Sequence, residues 1–345
     1  MTARGSDGRP PMNLEQIGEF GLIDRILSRL GASAATDILV PPGDDAAAWA
    51  TDAGAVVATI DALAEGTHWR ADTMTLFDVA WRAVASNVSD LAAMGAQPRH
   101  LLVASALGPD VTVEALDGFA DGLATACRVH NVRVAGGDIV RASSTLFSIA
   151  AFGSAALVGG EPRFLRRSGA RPGDAVAVTG TPGASGAGLV LIETGREDAP
   201  GAVELIEAHR RPLARAPLGQ RAVAAGLRCA IDVSDGLAQD VGHVARRSGV
   251  GIELASAQLP LNAAAVELLG HQAALDLALG GGEDYELVLT GPREVLRSLD
   301  SDSLPVTLIG RVVAEHPGEV IIWSEDGEEY RPPSRGWDQL RPLTR

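Results

Sequence analysis

The sequence predicts an α/β or α+β protein of two domains, on the strength of three observations. Its 345 residues are enough for two domains of roughly 150 residues each. Short apolar strands alternate along the chain with amphipathic helices, which is the pattern of these fold classes. Gly, Pro and Arg cluster between Leu157 and Pro172, a composition typical of a domain boundary. We therefore expect a loose tail at 1–13, an N-terminal domain at 14–157 and a C-terminal α/β domain at 158–345.

The N-terminal half begins with a predicted helix over Leu14–Leu30, where apolar residues recur at helical spacing. The same patterning predicts the strands Ala55–Ile60, His100–Ala106, Val132–Ala135 and Thr145–Ala156, and the helices Leu76–Met94 and Val113–His130. Two of these strands run directly into acidic positions, Asp61 and, through two glycines, Asp138.

The C-terminal half repeats the alternation without a tandem repeat. It predicts the strands Asp174–Thr179, Cys229–Val233, Gly251–Leu254, Tyr285–Thr290, Val306–Val313 and Val320–Trp323, and helices at Leu213–Ala225, Leu237–Arg247 and, as a pair, Asn262–Leu279. The segment Gly180–Gly188 is glycine-rich but does not match the dinucleotide pattern G-x-G-x-x-G. A phosphate-binding nest at a helix N-terminus and a plain flexible loop both remain open for it.

The chain contains no lysine, so all 29 of its Lys and Arg residues are arginine. This excludes a Walker A loop and a protein kinase, because both use a lysine on the phosphates. It also excludes Schiff-base and pyridoxal-phosphate enzymes, which need a lysine amine.

The net charge of −15 argues against a nucleic-acid surface, which would be basic. It suits a protein that collects cations, although an acidic surface also serves solubility. The two cysteines, Cys127 and Cys229, have no disulfide-framework or metal-site spacing, so we expect a reducing, cytoplasmic environment. No apolar run suggests a membrane span, and Met1–Pro11 lacks the apolar centre of a signal peptide.

Acidic residues beside Gly or Ser recur where predicted strands end or helices begin. They are Asp44, Asp45, Asp61, Asp90, Asp138, Asp232 and Asp235. Ligands of α/β domains bind at the carboxyl ends of strands, and converging carboxylates repel one another unless cations lie between them. Oxygen ligands in this number suit Mg²⁺. Turn and capping chemistry is the alternative, which is stronger for any single aspartate than for the set.

Three further features lie near these acids. His68 follows Asp61 closely, although a lone histidine is more often a surface or core residue. The acids of Gly281–Glu286 could orient a substrate, or simply belong to an edge-strand turn. Arg166 and Arg167 could clamp phosphate oxygens in bidentate fashion, or form a solvated charge pair.

Taken together, these segments resemble the thiamine-monophosphate kinase family. The matching strings include Gly43-Asp44-Asp45-Ala46, Asp61-Ala62-Leu63, Glu65-Gly66-Thr67-His68, Ala85 to Ala96, Gly136-Gly137-Asp138, Arg167-Ser168-Gly169-Ala170, Ile231 to Leu237 and Gly280 to Glu286. They keep their order over almost the whole chain.

The resemblance implies a two-domain fold like that of aminoimidazole ribonucleotide synthetase. In that fold the N-terminal domain, which binds ATP and Mg²⁺, contributes strands to a barrel across a homodimer, and the C-terminal domain is α/β. The implied activity is transfer of the terminal phosphoryl group of ATP to thiamine monophosphate with Mg²⁺. Because the acceptor is a phosphate monoester that is mostly deprotonated at neutral pH, we predict direct in-line transfer without a phosphoenzyme. The implied partners are those two small molecules, with no nucleic acid and no membrane.

The resemblance also implies roles for individual residues. The implied Mg²⁺ ligands are Asp45, Thr59, Asp61, Asp90, Asp138, Asp232 and Asp235. The implied ATP contacts are Gly136, Gly137, Arg167 and Ser234. The implied thiamine-phosphate contacts are His68, Glu283 and Trp337. Two alternatives stay open: another ATP-using enzyme of the same superfamily, of ligase or dehydratase type, and a non-catalytic acidic metal-binding protein.

Overall fold

The computed structural model describes residues 25–26, 28–29, 38–40, 48–49 and 55–337. The chain divides into two compact units, one of Met1–Asn87 and Pro98–Ser154, the other of Val88–Gln97 and Ala155–Arg345. Most of the predicted helix Leu14–Leu30 lies outside the described residues, and the described backbone at 25–26 and 28–29 is helical. None of the described helices is both long and apolar enough to cross a membrane.

The first unit contains a four-stranded sheet in the order β3-β6-β4-β5. Strands β3 and β6 are antiparallel, and β4 and β5 are parallel. A separate pair, β1 and β2, is antiparallel. The elements up to residue 154 are β1 Ile38–Val40, β2 Ala48–Trp49, β3 Val56–Ala64, α1 Leu76–Ala93, β4 Gln97–Leu107, α2 Val113–Val129, β5 Arg133–Arg141 and β6 Leu146–Ser154. The last part of α1, from Val88 on, belongs to the second unit.

One face of the four-stranded sheet is buried and the other is exposed. Phe147 of β6 stacks on Phe119 of α2 with the ring centroids 4.0 Å apart, and both side chains are buried. Helix α2 begins at this position because the Thr112 side chain accepts the Ala115 N–H, which satisfies one of the free amides of its first turn. On the opposite face, Ile60 is 67 % exposed.

The second unit is built on a six-stranded sheet in the order β10-β12-β9-β13-β11-β14, with only the β11–β14 pair parallel. The strands of this unit, including β7 and β8 outside the six-stranded sheet, are β7 Ala156–Val158, β8 Glu161–Arg163, β9 Ala175–Thr179, β10 Cys229–Asp232, β11 Gly251–Ala255, β12 Leu287–Gly291, β13 Val306–Val313 and β14 Val320–Trp323. Its α-helices are α3 Ala184–Glu193, α4 Ala202–Arg210, α5 Ala216–Ala224, α6 Leu237–Ser248, α7 Ala263–Leu269, α8 His271–Gly280 and α9 Arg293–Ser298.

The centre of this sheet is covered on both faces. Every residue of β9 and β12 is buried, which explains why both strands are mostly apolar, with one threonine each, instead of alternating polar and apolar residues. Helix α6 contributes Leu237, Val241 and Val244 to the same core. The short hairpin of β7 and β8 forms a sheet of its own.

The placement predicted for three aspartates at element ends is wrong. Asp61 lies inside β3 and Asp138 inside β5, because sheet pairing extends both strands several residues beyond their apolar stretches. Asp90 lies within the last turn of α1 instead of at a junction. Asp232 does end β10, and Asp235 lies in the loop before α6.

Candidate functional site

A buried carboxylate lies where β10 ends. Asp232 is 2 % exposed, and its Oδ2 accepts a hydrogen bond from Ser89 Oγ at 2.8 Å. Asp90, the next residue of α1, is half-buried. Burial raises the pKa of Asp232 well above its usual range, and the negative charges of Asp90 and Asp240 raise it further. The anionic form of this group is therefore poorly stabilised by the protein itself.

The loop that follows β10 is shaped by Asp240. Its Oδ2 accepts the backbone N–H groups of Ser234 and Asp235, both at 3.1 Å, and of Gly236 at 3.0 Å. Burial, followed by the charge of Asp235, raises the pKa of Asp240 to about 7 in spite of these bonds. Asp240 thus holds the backbone that carries Ser234 and Asp235.

Sequence reasoning missed Asp240. The available signal was an acid in the first turn of a helix, four residues after Gly236, where carboxylates bind free backbone amides. It also missed Ser89, since a serine inside a helix carries no sign that its hydroxyl will meet a buried carboxylate.

Two other segments join this loop through backbone hydrogen bonds. Glu283 N–H donates to Ser234 O at 2.7 Å, and Trp337 N–H donates to Asp235 O at 2.9 Å. Glu283 and Tyr285 have φ values of 56° and 53°, a left-handed conformation that is costly for residues other than glycine. The structure therefore brings together four predicted residues, Ser234, Asp235, Glu283 and Trp337.

The other two acids of the predicted segment Gly281–Glu286 have structural partners. Asp284 accepts the N–H groups of Gly183 at 2.7 Å and Ser185 at 3.0 Å, at the start of α3. Glu286 is buried and forms a bidentate pair with Arg215 at 2.7 and 2.5 Å. Of the three acids, Glu283 is the half-buried one beside the Ser234 loop.

The glycine-rich segment 180–188 is helical from Ala184 on and is not an open anion site. Helix α3 begins within it, and the carboxylate of Asp284 occupies its N-terminal amides. A Cβ at Gly188 would come within 2.0 Å of the Leu205 carbonyl oxygen, so this glycine permits close packing of α3 on α4. The close packing of α3 on α4, and not a ligand, therefore explains the glycine at position 188.

Arg167 is a positively charged residue that interacts electrostatically with this carboxylate cluster. Its charge lowers the pKa of Asp232, although burial and the neighbouring acids have larger effects. Burial, then Arg246 and Arg167, lower the pKa of His243. Ligand atoms of Asp235, Asp240 and His243 lie within 4.8 Å of one another, so the histidine borders the same cluster.

These residues fit a hard divalent cation. The cluster around Asp232 presents carboxylate oxygens from Asp90, Asp235 and Asp240, and oxygen donors are the ligands that Mg²⁺ prefers. A buried carboxylate whose pKa is raised by its neighbours gains most when a cation replaces the missing counter-charge.

In the first unit the predicted residues lie on two faces of the sheet. Thr59 and Asp61 pair with Ala151 and Ile149 on the buried face and are half-buried. Asp138 is exposed on β5. Asp138 pairs with Ala104, which is exposed as well, so it belongs to the opposite face. Asp45 lies outside the described residues.

The remaining predicted residues of this unit have local structural explanations. A Cβ at Gly137 would lie 2.1 Å from the Val103 carbonyl oxygen, so glycine is required for β5 to pair with β4. A Cβ at the neighbouring Gly136 would meet Leu102 Cδ2 at 3.6 Å, which is an ordinary contact, so packing does not require glycine there. His68 lies in the turn after β3, where its Nδ1 accepts the Ala64 N–H at 3.0 Å, which requires that nitrogen to be unprotonated.

Comparison with known proteins agrees with this architecture. Residues 43–155 match the family model described as AIR synthase related protein, N-terminal domain, and residues 171–322 match the corresponding C-terminal domain. The thiamine-monophosphate kinase of Escherichia coli K12 is 37 % identical over 332 residues, which are 94 % of this chain and 98 % of that protein.

Two solved structures are also similar. The thiamine-monophosphate kinase of Stenotrophomonas maltophilia K279a has a TM-score of 0.78 and 38 % identity, over 90 % of this chain and 96 % of that one. AaThiL complexed with AMPPCP and TMP has a TM-score of 0.73 and 34 % identity, over 94 % and 98 % of the two chains. The chain therefore belongs to the thiamine-monophosphate kinase family.

Proposed function

We propose that this protein transfers the terminal phosphoryl group of ATP to thiamine monophosphate, forming thiamine diphosphate and ADP. The family supplies the reaction, and the related AaThiL structure is of a complex with AMPPCP, an ATP analogue, and TMP. The observation within this chain that carries the proposal is the buried carboxylate cluster around Asp232, because phosphoryl transfer needs concentrated charge compensation.

The residue roles are part of this proposal. The proposed Mg²⁺ ligands are Asp45, Thr59, Asp61, Asp90, Asp138, Asp232 and Asp235. Gly136, Gly137, Arg167 and Ser234 are the proposed ATP contacts. Support is strongest for Asp232 and Asp235, because burial, hydrogen bonds and neighbouring charge all favour a cation beside them.

The reaction needs no general base from the protein. The acceptor is a phosphate monoester whose second pKa is about 6, so its attacking oxygen is already mostly deprotonated at neutral pH. Magnesium bound at the carboxylates would neutralise phosphate charge as it develops. Arg167 adds a fixed positive charge, and we propose direct in-line transfer without a phosphoenzyme.

The proposed thiamine-phosphate contacts are His68, Glu283 and Trp337. Thiamine carries a cationic thiazolium ring, which an aromatic face and a carboxylate both attract. Trp337 is 37 % exposed. Its backbone N–H and that of Glu283 both donate hydrogen bonds to the loop of Ser234 and Asp235. The exposed indole of Trp337 and the left-handed backbone of Glu283 on this shared loop support the assignment.

The test is an assay of the purified chain with ATP labelled in its terminal phosphate, Mg²⁺ and thiamine monophosphate. The label should appear in thiamine diphosphate and remain absent from the protein. A superfamily enzyme of ligase or dehydratase type would release ADP or phosphate without labelling the thiamine, and a non-catalytic metal-binding protein would do neither. Label bound covalently to the protein would contradict direct transfer.

We also propose a homodimer formed through the exposed face of the first unit's sheet. Val56, Ile60 and Val140 on that sheet are 56, 67 and 52 % exposed, and exposed apolar faces of this kind mark association sites. Ile60→Glu should shift the protein to monomer in light scattering after size exclusion. Val203→Glu, at an equally exposed valine of α4, should leave the dimer intact. A wild-type monomer would overturn the proposal.

The proposed location is the cytoplasm. Cys127 and Cys229 are both free thiols in buried positions, as expected for a chain that folds in a reducing compartment.

A further inference from the structure

A second concentration of charge, of opposite sign, surrounds a cavity of about 610 Å³ in the second unit. Four arginines line it: Arg163, Arg166, Arg171 and Arg228. Among the described residues, none that lines this arginine cavity is acidic. The charge of this lining is opposite in sign to the net charge of the chain, which is −15.

The four guanidinium groups are available to a ligand. Within the described part of the chain, none of them forms an ion pair with a carboxylate. Arg166 instead lies over the Phe164 ring, 5.7 Å from its centroid, which orients it at the cavity wall. Like charges held around one space repel, and an anion between them relieves that repulsion.

The rest of the lining is apolar. Phe164, Val223 and Leu227 line the same cavity as the arginines. A space of this volume is within the range of small-molecule sites, which combine apolar walls with a few polar groups that fix orientation. The guanidinium fork matches the oxygens of phosphate better than any other common anion except carboxylate, and four forks exceed what a single carboxylate can use.

We propose that the arginine cavity binds a phosphorylated organic molecule with at least two phosphate groups, at a place separate from the Asp232 cluster. None of the cluster residues lines the cavity. Arg166 and Arg167 are adjacent in sequence but serve the two places separately: Arg166 packs on Phe164, while Arg167 acts on Asp232 and His243.

The test measures binding of inorganic pyrophosphate by calorimetry in EDTA, so that no metal-dependent site contributes. Arg171→Gln/Arg228→Gln removes two cavity charges, and Arg293→Gln/Arg297→Gln removes two exposed charges from α9 as the matched control. Both cavity substitutions leave the local backbone hydrogen bonds in place, from Arg171 N–H to Asp174 and from Arg166 N–H to Arg228 O.

Wild type and control should bind pyrophosphate equally, and the cavity variant at least about tenfold more weakly, because charge-assisted bonds are lost. Equal affinity in all three proteins, or no binding to wild type, would overturn the proposal. ADP should bind wild type more tightly than pyrophosphate does, and the cavity variant should lose this added affinity. Equal affinity of wild type for the two ligands, or an ADP affinity that the cavity substitutions leave unchanged, would overturn the organic part.

Kinase turnover separates this site from the catalytic one. Turnover of the cavity variant should stay within about twofold of wild type. A variant that lost turnover together with pyrophosphate binding would show that the cavity belongs to the reaction site. A wild-type protein without kinase activity that still bound pyrophosphate through these arginines would overturn the proposed function and leave this inference standing.

Discussion

The two units present their candidate metal ligands differently. In the first unit, Asp138 is exposed and Asp61 is half-buried, each on a strand of the same sheet. In the second unit, Asp232 and Asp240 are buried, and hydrogen bonds from Ser89 and from three backbone amides hold them. An exposed carboxylate is stabilised by water, whereas a buried one needs a specific counter-charge. We therefore expect that replacing a candidate ligand in the first unit changes turnover without changing stability. In the second unit the same kind of replacement should change both turnover and stability.

The largest effect should come from Asp232→Asn. Turnover should fall at least about 100-fold, because a carboxylate that balances the metal charge is lost. In EDTA the variant should be more stable than wild type, since a buried acid beside Asp90 and Asp240 is replaced by a neutral side chain. Mg²⁺ should raise the melting temperature of wild type more than that of the variant.

Steady-state kinetics and thermal unfolding check this prediction. Asp326→Asn, on an exposed turn, is the control for removing one negative charge, and it should behave as wild type. Turnover of Asp232→Asn within about twofold of wild type would show that the buried cluster is structural only.

Asp138→Asn should lower turnover about tenfold or more without affecting stability. Because Asp138 is exposed in the single chain, its replacement should change the free energy of unfolding in EDTA by no more than about 0.5 kcal/mol when both proteins carry Ile60→Glu, which opens the proposed dimer face. Urea unfolding and turnover are measured on the same preparation. A destabilised variant with normal turnover would reverse the contrast between the two units.

Substitution of Asp240 should give an intermediate effect, because this residue acts through the loop it holds. Asp240→Ala removes the acceptor of three backbone amides, so the Mg²⁺ concentration needed for half-maximal activity should rise several-fold. Asp240→Asn keeps one acceptor oxygen and should recover part of the loss. Equal behaviour of the two variants would show that the charge of Asp240, and not its hydrogen bonding, matters.

The smallest effect should be a change in the pH dependence of stability at Asp284, which lies away from the cluster. Burial raises its pKa to about 7 in the folded protein, against 3.8 for an exposed aspartate. The folded state therefore retains a proton that the unfolded chain has released. The resulting stabilisation is complete below about pH 4 and is lost as pH rises through about 7.

Asp284→Asn should remove this component, so that unfolding free energy declines less between about pH 5 and about pH 8 than in wild type. Urea unfolding across that interval measures it. An unchanged slope would mean that Asp284 is ionised throughout, held by the amides of Gly183 and Ser185.

The sequence predicts an element best when the strand ends at the same residue as its run of apolar residues. Strands β13 and β14 occupy the predicted Val306–Val313 and Val320–Trp323 without change. Asp61 and Asp138 lie inside strands because pairing with a neighbour, which a single sequence does not display, decides where a strand ends.

Other parts of the candidate site depend on contacts between distant residues. Ser89 and Asp232 are 143 positions apart, and Asp284 reaches Gly183 across 101 positions. The sequence around Gly188 contains no pattern that predicts its close contact with Leu205. The family motifs name Ser234, Asp235 and Glu283 for three different roles, which stay predictions, and the structure joins the three residues through one short loop and its hydrogen bonds.

The central claim is that the buried carboxylates of the second unit hold the metal used in phosphoryl transfer. Electron paramagnetic resonance of Mn²⁺, titrated into the protein with a non-hydrolysable ATP analogue, counts bound ions directly. We predict that Asp232→Asn binds at least one ion fewer than wild type, and that Asp326→Asn binds the same number. An unchanged number and affinity of Mn²⁺ ions in Asp232→Asn would contradict the account.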